Sequence, residues 1–67
     1  MVKDKFGKEI KVGSKVIWFD PEKAAQDLER VYEVFDIEDT GEDDSIVDIY
    51  DNYSEAQVFP NELKVVG

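Results

Sequence analysis

The sequence contains no cysteine and no histidine among its 67 residues. These absences exclude disulfide bonds, a catalytic thiol and an imidazole base, and they remove the usual ligands of structural zinc. A chain of this length forms one domain, residues 1–67, and domains this small often need such a cross-link. We therefore expect a fold that depends on hydrophobic packing alone, in a monomer or a weak homodimer.

Long apolar runs are also missing. No stretch approaches the roughly 20 residues that a membrane-spanning helix requires. The first residues, Met1 to Lys5, lead into no apolar segment of the kind found in secretion signals. The sequence therefore predicts a cytoplasmic protein without a membrane partner.

Basic residues are scarce and unevenly placed in a chain whose net charge is −9. Residues 1–15 contain five lysines and two acidic residues, whereas residues 16–67 contain three basic and fifteen acidic residues. An acidic surface repels nucleic-acid phosphates and attracts basic partners. We predict a protein partner with a basic segment and consider nucleic acid a poor one. The alternative is an acidic surface that serves only solubility.

Five short segments carry the β-branched, aromatic and alternating patterns that predict strands. They are residues 15–19, 31–37, 45–50, 54–59 and 64–66. In the third segment Val47 and Ile49 alternate with Asp48, and in the fourth Ala56 and Val58 share one side. One face of each strand is therefore expected to line the core.

The second segment departs from simple alternation. Glu33 and Asp36 are three residues apart, so a regular two-faced strand cannot turn both of them outward. We expect a β-bulge or strong coiling within this strand to resolve the conflict.

Helix-forming residues separate the first two segments. Residues 22–29 follow Asp20 and Pro21, which suit a helix cap and a first helical position. This pattern predicts a helix of about two turns, and so short a helix must pack Ala24 and Leu28 on the sheet to be stable.

The order of these elements resembles the SH3-like barrel. Residues 7–16 resemble the G-x-x-I-x-x-G-D-x-V entry of many small bacterial barrels, and residues 51–63 are similar to small uncharacterised bacterial proteins of this type. Residues 59–66 resemble the short 3₁₀ turn that joins the last two strands. The resemblance covers most of the chain. It implies a mainly β fold, a five-stranded SH3-like barrel with a short helix inserted between the first two long strands and a 3₁₀ turn before the last strand.

The residues with which SH3 domains proper bind proline-rich peptides are missing. Those domains carry an acidic, aromatic first loop, a tryptophan at the start of the third strand and a tyrosine after the proline of the 3₁₀ turn. Here a helix is predicted in the first loop, the third segment starts at Ser45, and Glu62 follows Pro60 and Asn61. KOW-type relatives use basic loops on RNA, whereas these loops are acidic. The resemblance therefore indicates a fold rather than a function.

No catalytic, cofactor or metal site is predicted. Serine hydroxyls lack a suitable base, and a carboxylate pair such as Asp48 and Glu55 lacks a cleft that would raise one pKa. Residues 36–47 match part of an EF-hand pattern, with Gly41 at its sixth position, but Val47 replaces the glutamate that must complete the site. We expect no enzyme, and we leave open weak cation association at the acidic loop 38–44.

The aromatic residues provide the clearest functional hypothesis, because eight of them exceed what so small a core can hide. Exposed aromatic rings beside carboxylates suit arginine or lysine of a partner. The candidate partner-binding residues are Trp18, Asp48, Tyr50, Tyr53 and Glu55. They predict a protein-interaction module that binds a basic partner, unless the rings merely cap the ends of the barrel.

Two other functions remain possible on the sequence. The first is an acidic mimic of nucleic acid that blocks a DNA- or RNA-binding protein. The second is a weak nucleic-acid-binding barrel that uses the lysines of the N-terminal arm. These are Lys3, Lys5, Lys8, Lys11 and Lys15.

Overall fold

The computed structural model describes residues 1–22, 30–41 and 44–67. In these residues the chain forms five antiparallel strands and one 3₁₀ turn, Pro60–Glu62. The strands are β1 (Lys15–Trp18), β2 (Val31–Glu38), β3 (Ile46–Tyr50), β4 (Glu55–Val58) and β5 (Leu63–Val65). They form one sheet in the order β4-β3-β2-β1-β5. The predicted mainly β fold, its five strands and the 3₁₀ turn before the last strand are confirmed.

The core lies on one face of this sheet. Its most buried side chains come from four different strands, which places the packing between elements that are distant in sequence. Those with no exposed surface are Val16, Val34, Val47, Ile49 and Leu63. The predicted inward positions of the third and fourth segments are confirmed, since Val58 is also buried and Ala56 packs against the core. Burying such side chains stabilises the fold by about 1.5–3 kcal/mol each.

Strand β2 contains the irregularity that its sequence predicts. Val34 pairs with Ile49 and Asp36 pairs with Asp48, so Phe35 is an extra residue without a direct partner on β3. A bulge of this kind lets two successive residues face the same side of the sheet. Phe35 and Asp36 are therefore both exposed, as sequence alternation alone does not allow.

The N-terminal segment folds back on itself, with an antiparallel bridge between Lys3 and Glu9. The buried Asp4 organises it, because its carboxylate accepts backbone N–H groups of Phe6, Lys8 and Val65 at 2.7–2.8 Å. Burial opposes ionisation of Asp4, but these three donors outweigh it and lower the pKa of the carboxyl group. The segment is thus held on β5 by this side chain and by the backbone N–H of Lys5, which donates to the Leu63 carbonyl at 3.0 Å. The sequence reveals neither contact.

Two parts of the predicted architecture extend beyond what the structure describes. Of the helix predicted over residues 22–29, residues 23–29 lie outside the described residues, and Glu22 forms a turn with Pro21. The five-stranded antiparallel sheet is compatible with an SH3-like fold, while closure into a barrel stays a prediction. None of the described residues belongs to a helix long and apolar enough to cross a membrane.

Candidate partner-binding face

The sheet has an outer face opposite the core, and strand pairing determines which residues share it. Directly paired residues of antiparallel strands point to the same side. One row across β2, β3 and β4 is Glu33, Tyr50 and Glu55, and the next row is Asp36, Asp48 and Gln57. We call these six residues together with Phe35 the acidic face. Its members are Glu33, Phe35, Asp36, Asp48, Tyr50, Glu55 and Gln57.

Two aromatic rings lie at the centre of the acidic face. The rings of Phe35 and Tyr50 meet edge to face, with centroids 5.5 Å apart and planes at 70°. Both side chains are exposed, at 44% and 40% of their surface. The Tyr50 hydroxyl donates to Glu33 Oε2 at 3.2 Å, which orients its ring. The face therefore offers a rigid apolar surface surrounded by carboxylates.

Glu33 is the one member of this face with a basic neighbour in the described chain. Lys15 on β1 donates to its Oε1, and the two residues are paired across the strands. The hydrogen bond from Lys15, together with its charge, lowers the pKa of Glu33. Lys15 thus marks the boundary between the acidic face and the outer surface of β1.

Asp48 has a different environment. It lies directly opposite Asp36 on one side and Gln57 on the other. Its Oδ1 atom is buried, and no donor among the described residues hydrogen-bonds to it. A buried acceptor without a donor costs about 1–3 kcal/mol. Asp48 also lines a shallow groove of about 360 Å³ with Phe35, Glu55, Ala56 and Gln57.

Tyr53 lies at the end of this region, in the turn between β3 and β4, and is 88% exposed. The turn is organised by Asp51, whose Oδ1 accepts the backbone N–H groups of Tyr53 and Ser54 at 2.8 and 2.9 Å. Arg30, just before β2, donates to both carboxylate oxygens of Asp51, and its guanidinium lies 5.8 Å from the Tyr53 ring. The hydrogen bonds from Arg30 hold the pKa of Asp51 well below its ordinary range.

Trp18 does not join the other candidate residues. It pairs with the buried Leu63 and therefore points to the core side of the sheet. Its ring meets the Tyr32 ring edge to face at 6.0 Å, and it lines a separate groove with Phe19 and Phe59. Of the predicted residues, the structure brings together Asp48, Tyr50 and Glu55, with Tyr53 beyond them at the turn.

Sequence reasoning named three members of the acidic face and missed the other four, which are Glu33, Phe35, Asp36 and Gln57. In the sequence Phe35 is one of eight aromatic residues, and the segment that contains it reads as a strand with one apolar side. The available signal was the predicted bulge, because an extra residue in β2 puts Phe35 beside Asp36 on the outer side.

The acidic loop after β2 is stabilised by its own polar groups. The Thr40 hydroxyl donates to Asp44 Oδ1 at 2.7 Å, and Asp39 accepts the backbone N–H of Gly41. Within residues 1–22, 30–41 and 44–67, no group of three or more acidic side chains is arranged to hold a metal ion. Residues 42–43 of this loop lie outside that part of the chain, so weak cation association there stays open.

Comparison with known proteins identifies no relative. No protein-family model, no curated protein and no solved structure matches this chain. The functional argument therefore rests on the geometry of the acidic face.

Proposed function

We propose that this chain is a protein-interaction module whose acidic face binds a basic segment of a partner protein. The observation that carries the proposal is the position of the Phe35–Tyr50 ring pair among the four carboxylates of the acidic face. Rings at such positions attract lysine and arginine through cation–π contacts of about 0.5–2 kcal/mol. The carboxylates add long-range attraction that accelerates encounter and is weakened by salt.

The size of the face defines the kind of complex. Three strands about 5 Å apart make a strip that one extended segment can cross. An interface of this size belongs to the weak and transient class of protein complexes. We therefore expect micromolar or weaker binding that falls steeply with ionic strength.

The acidic mimic of nucleic acid is the second candidate, and the two carboxylate rows support it. A mimic would need a folded nucleic-acid-binding protein as its partner, whereas a segment-binding module also recognises an isolated peptide. The exposed aromatic pair at the centre of the face has no counterpart in a phosphate array. We therefore prefer the segment-binding proposal.

The nucleic-acid-binding barrel has less support. Lys15 donates to Glu33, Lys11 lies 3.9 Å from Glu9, and the Lys5 ammonium lies 4.1 Å from the centre of the Phe19 ring. These intramolecular contacts involve three of the five lysines that would have to bind phosphates. A gel shift at low salt would still detect such binding.

The test is a titration of the ¹⁵N-labelled protein with a capped ten-residue peptide that carries three lysines. We expect the amide shifts to change along β2, β3 and β4, and Phe35→Ala to weaken binding by roughly tenfold. The matched control is Phe59→Ala, since Phe59 is 47% exposed but lies outside the acidic face. Absence of binding at 20 mM salt, or equal losses in both variants, would refute the proposal.

A further inference from the structure

We infer that the acidic face selects arginine, and that one guanidinium of the partner enters the groove beside Asp48. This inference rests on the proposed function and specifies which basic residue anchors the partner. The groove is lined by Phe35, Asp48, Glu55, Ala56 and Gln57.

The first argument is that the carboxylate of Asp48 is not compensated by a donor or a cation among the described residues. Its Oδ1 atom is buried without a hydrogen-bond donor from the described residues, and the neighbouring Asp36 carries the same charge. On the same sheet, Lys15 is paired with Glu33, and Arg30, just before β2, is paired with Asp51. A guanidinium in the groove would offset the negative charge of this carboxylate and reduce its repulsion with Asp36 at the same time.

The second argument is the chemistry of the groove walls. An aromatic ring, Phe35, lies next to carboxylates and to the amide side chain of Gln57. A guanidinium can lie flat against a ring while its five N–H groups donate to acceptors in the same plane. Asp48 and Gln57 are direct neighbours in one row, about 5 Å apart, so a single planar group can reach both of them.

Lysine fits this arrangement less well. Its ammonium is a compact and strongly hydrated charge without the planar fork of a guanidinium, so it cannot lie flat on a ring and donate to acceptors in the same plane. Lysine therefore benefits from the general negative field of the face, whereas arginine gains the specific contacts of the groove in addition.

The experiment compares three capped ten-residue peptides that differ at one central position, which is arginine, lysine or citrulline between two flanking lysines. We expect the arginine peptide to bind roughly tenfold more tightly than the lysine peptide, and the citrulline peptide to be weakest. Asp48→Asn should abolish the preference for arginine. Asp36→Asn, one step along the same row, should weaken the arginine and lysine peptides by similar factors.

A second readout does not depend on a folded variant. Intermolecular nuclear Overhauser effects between the arginine δ-methylene protons and the Phe35 ring should appear in the wild-type complex. Equal affinities for arginine and lysine, or the lack of such contacts in a saturated complex, overturn the inference and leave the proposed function intact. Failure of all three peptides to bind overturns the proposed function itself.

Discussion

Arg30 contacts Asp51 at two points, with Nε donating to Oδ2 and Nη2 donating to Oδ1 at 3.0 Å. The same guanidinium lies 5.0 Å from the centre of the Tyr32 ring and donates to the Ser54 hydroxyl. This contact ties the start of β2 to the turn between β3 and β4. It therefore positions the end of the sheet at which Tyr50, Tyr53 and Glu55 meet.

The first prediction concerns this contact. Asp51→Ala should lower the melting temperature more than Arg30→Ala, because Asp51 also accepts two backbone N–H groups of the turn. Arg30→Lys should fall between Arg30→Ala and the wild type, since one ammonium cannot make both contacts. Thermal unfolding followed by circular dichroism gives the order, and hydrogen exchange at Tyr53 and Ser54 reports the turn directly. An Arg30→Ala variant that is less stable than Asp51→Ala would contradict this assignment.

The second prediction concerns the stability of the fold at low pH. The pKa of Asp4 is lower in the folded chain than its ordinary value of 3.8, so its carboxylate stabilises the fold above about pH 4. This contribution is lost as the pH falls through the folded-state pKa. Asp4→Ala should cost about 2–4 kcal/mol of unfolding free energy at pH 7, because three backbone donors lose their acceptor.

The Asp4→Asn variant tests how much of this stabilisation comes from the negative charge of Asp4. It should show a smaller loss of unfolding free energy than the wild type when urea denaturation is compared at pH 6 and pH 3. The pKa of Asp51 is also lowered in the folded chain, so the ionised Asp51 likewise stabilises the fold. Some acid sensitivity therefore remains in the variant. An unchanged difference between the two pH values would show that Asp4 does not contribute.

The third prediction concerns the bulge. Deletion of Phe35 leaves Val34 and Asp36 adjacent and restores regular alternation in β2, with both residues still opposite Ile49 and Asp48. We expect the deletion variant to fold with an unfolding free energy within about 1 kcal/mol of the wild type. It should nevertheless lose binding of basic peptides, because the central ring is gone.

The control is a variant in which Ile37 is deleted instead of Phe35. Ile37 lies in the regular part of the same strand, opposite Val47. Removing Ile37 deprives the core of a side chain that packs against it and brings Glu38 opposite the buried Val47, so the variant should be unfolded in a one-dimensional proton spectrum. Two equally unfolded deletion variants would refute the description of Phe35 as an extra residue.

The fourth prediction concerns Lys15. Lys15→Met should remove the hydrogen bond that lowers the pKa of Glu33, and that pKa should rise toward its ordinary value when it is followed by NMR. Without the Lys15 contact, the Glu33 carboxylate is available to a partner, so a basic peptide should bind roughly two- to threefold more tightly. Lys11→Met is the matched control, since Lys11 lies near Glu9 outside the acidic face. Weaker peptide binding by Lys15→Met would place Lys15 within the recognition surface.

Much of the fold follows from local pattern. The strand segments, the inward positions of Val47, Ile49 and Val58, and an irregularity in β2 all follow from the alternation of side chains along a strand. That the irregularity is a bulge and not strong coiling is left open by the sequence. Pro60 cannot donate to a strand ladder, which predicts a break before the last strand, and the resemblance to SH3-like barrels implies that this break is a 3₁₀ turn. These features need only the geometry of the backbone and the cost of burying charge, so the sequence alone is sufficient to predict them.

The candidate site depended on relationships that the linear sequence does not contain. Trp18 and Tyr50 both end strands that carry apolar residues, yet Trp18 pairs with Leu63 on the core side and Tyr50 pairs with Glu33 on the outer side. Register between strands decides this, and it is set by packing between residues far apart in the chain. The sequence by itself therefore determined the strands and their acidic character. Only the tertiary structure decided which aromatic rings and carboxylates share a face, and that Asp48 lacks a donor within the described chain.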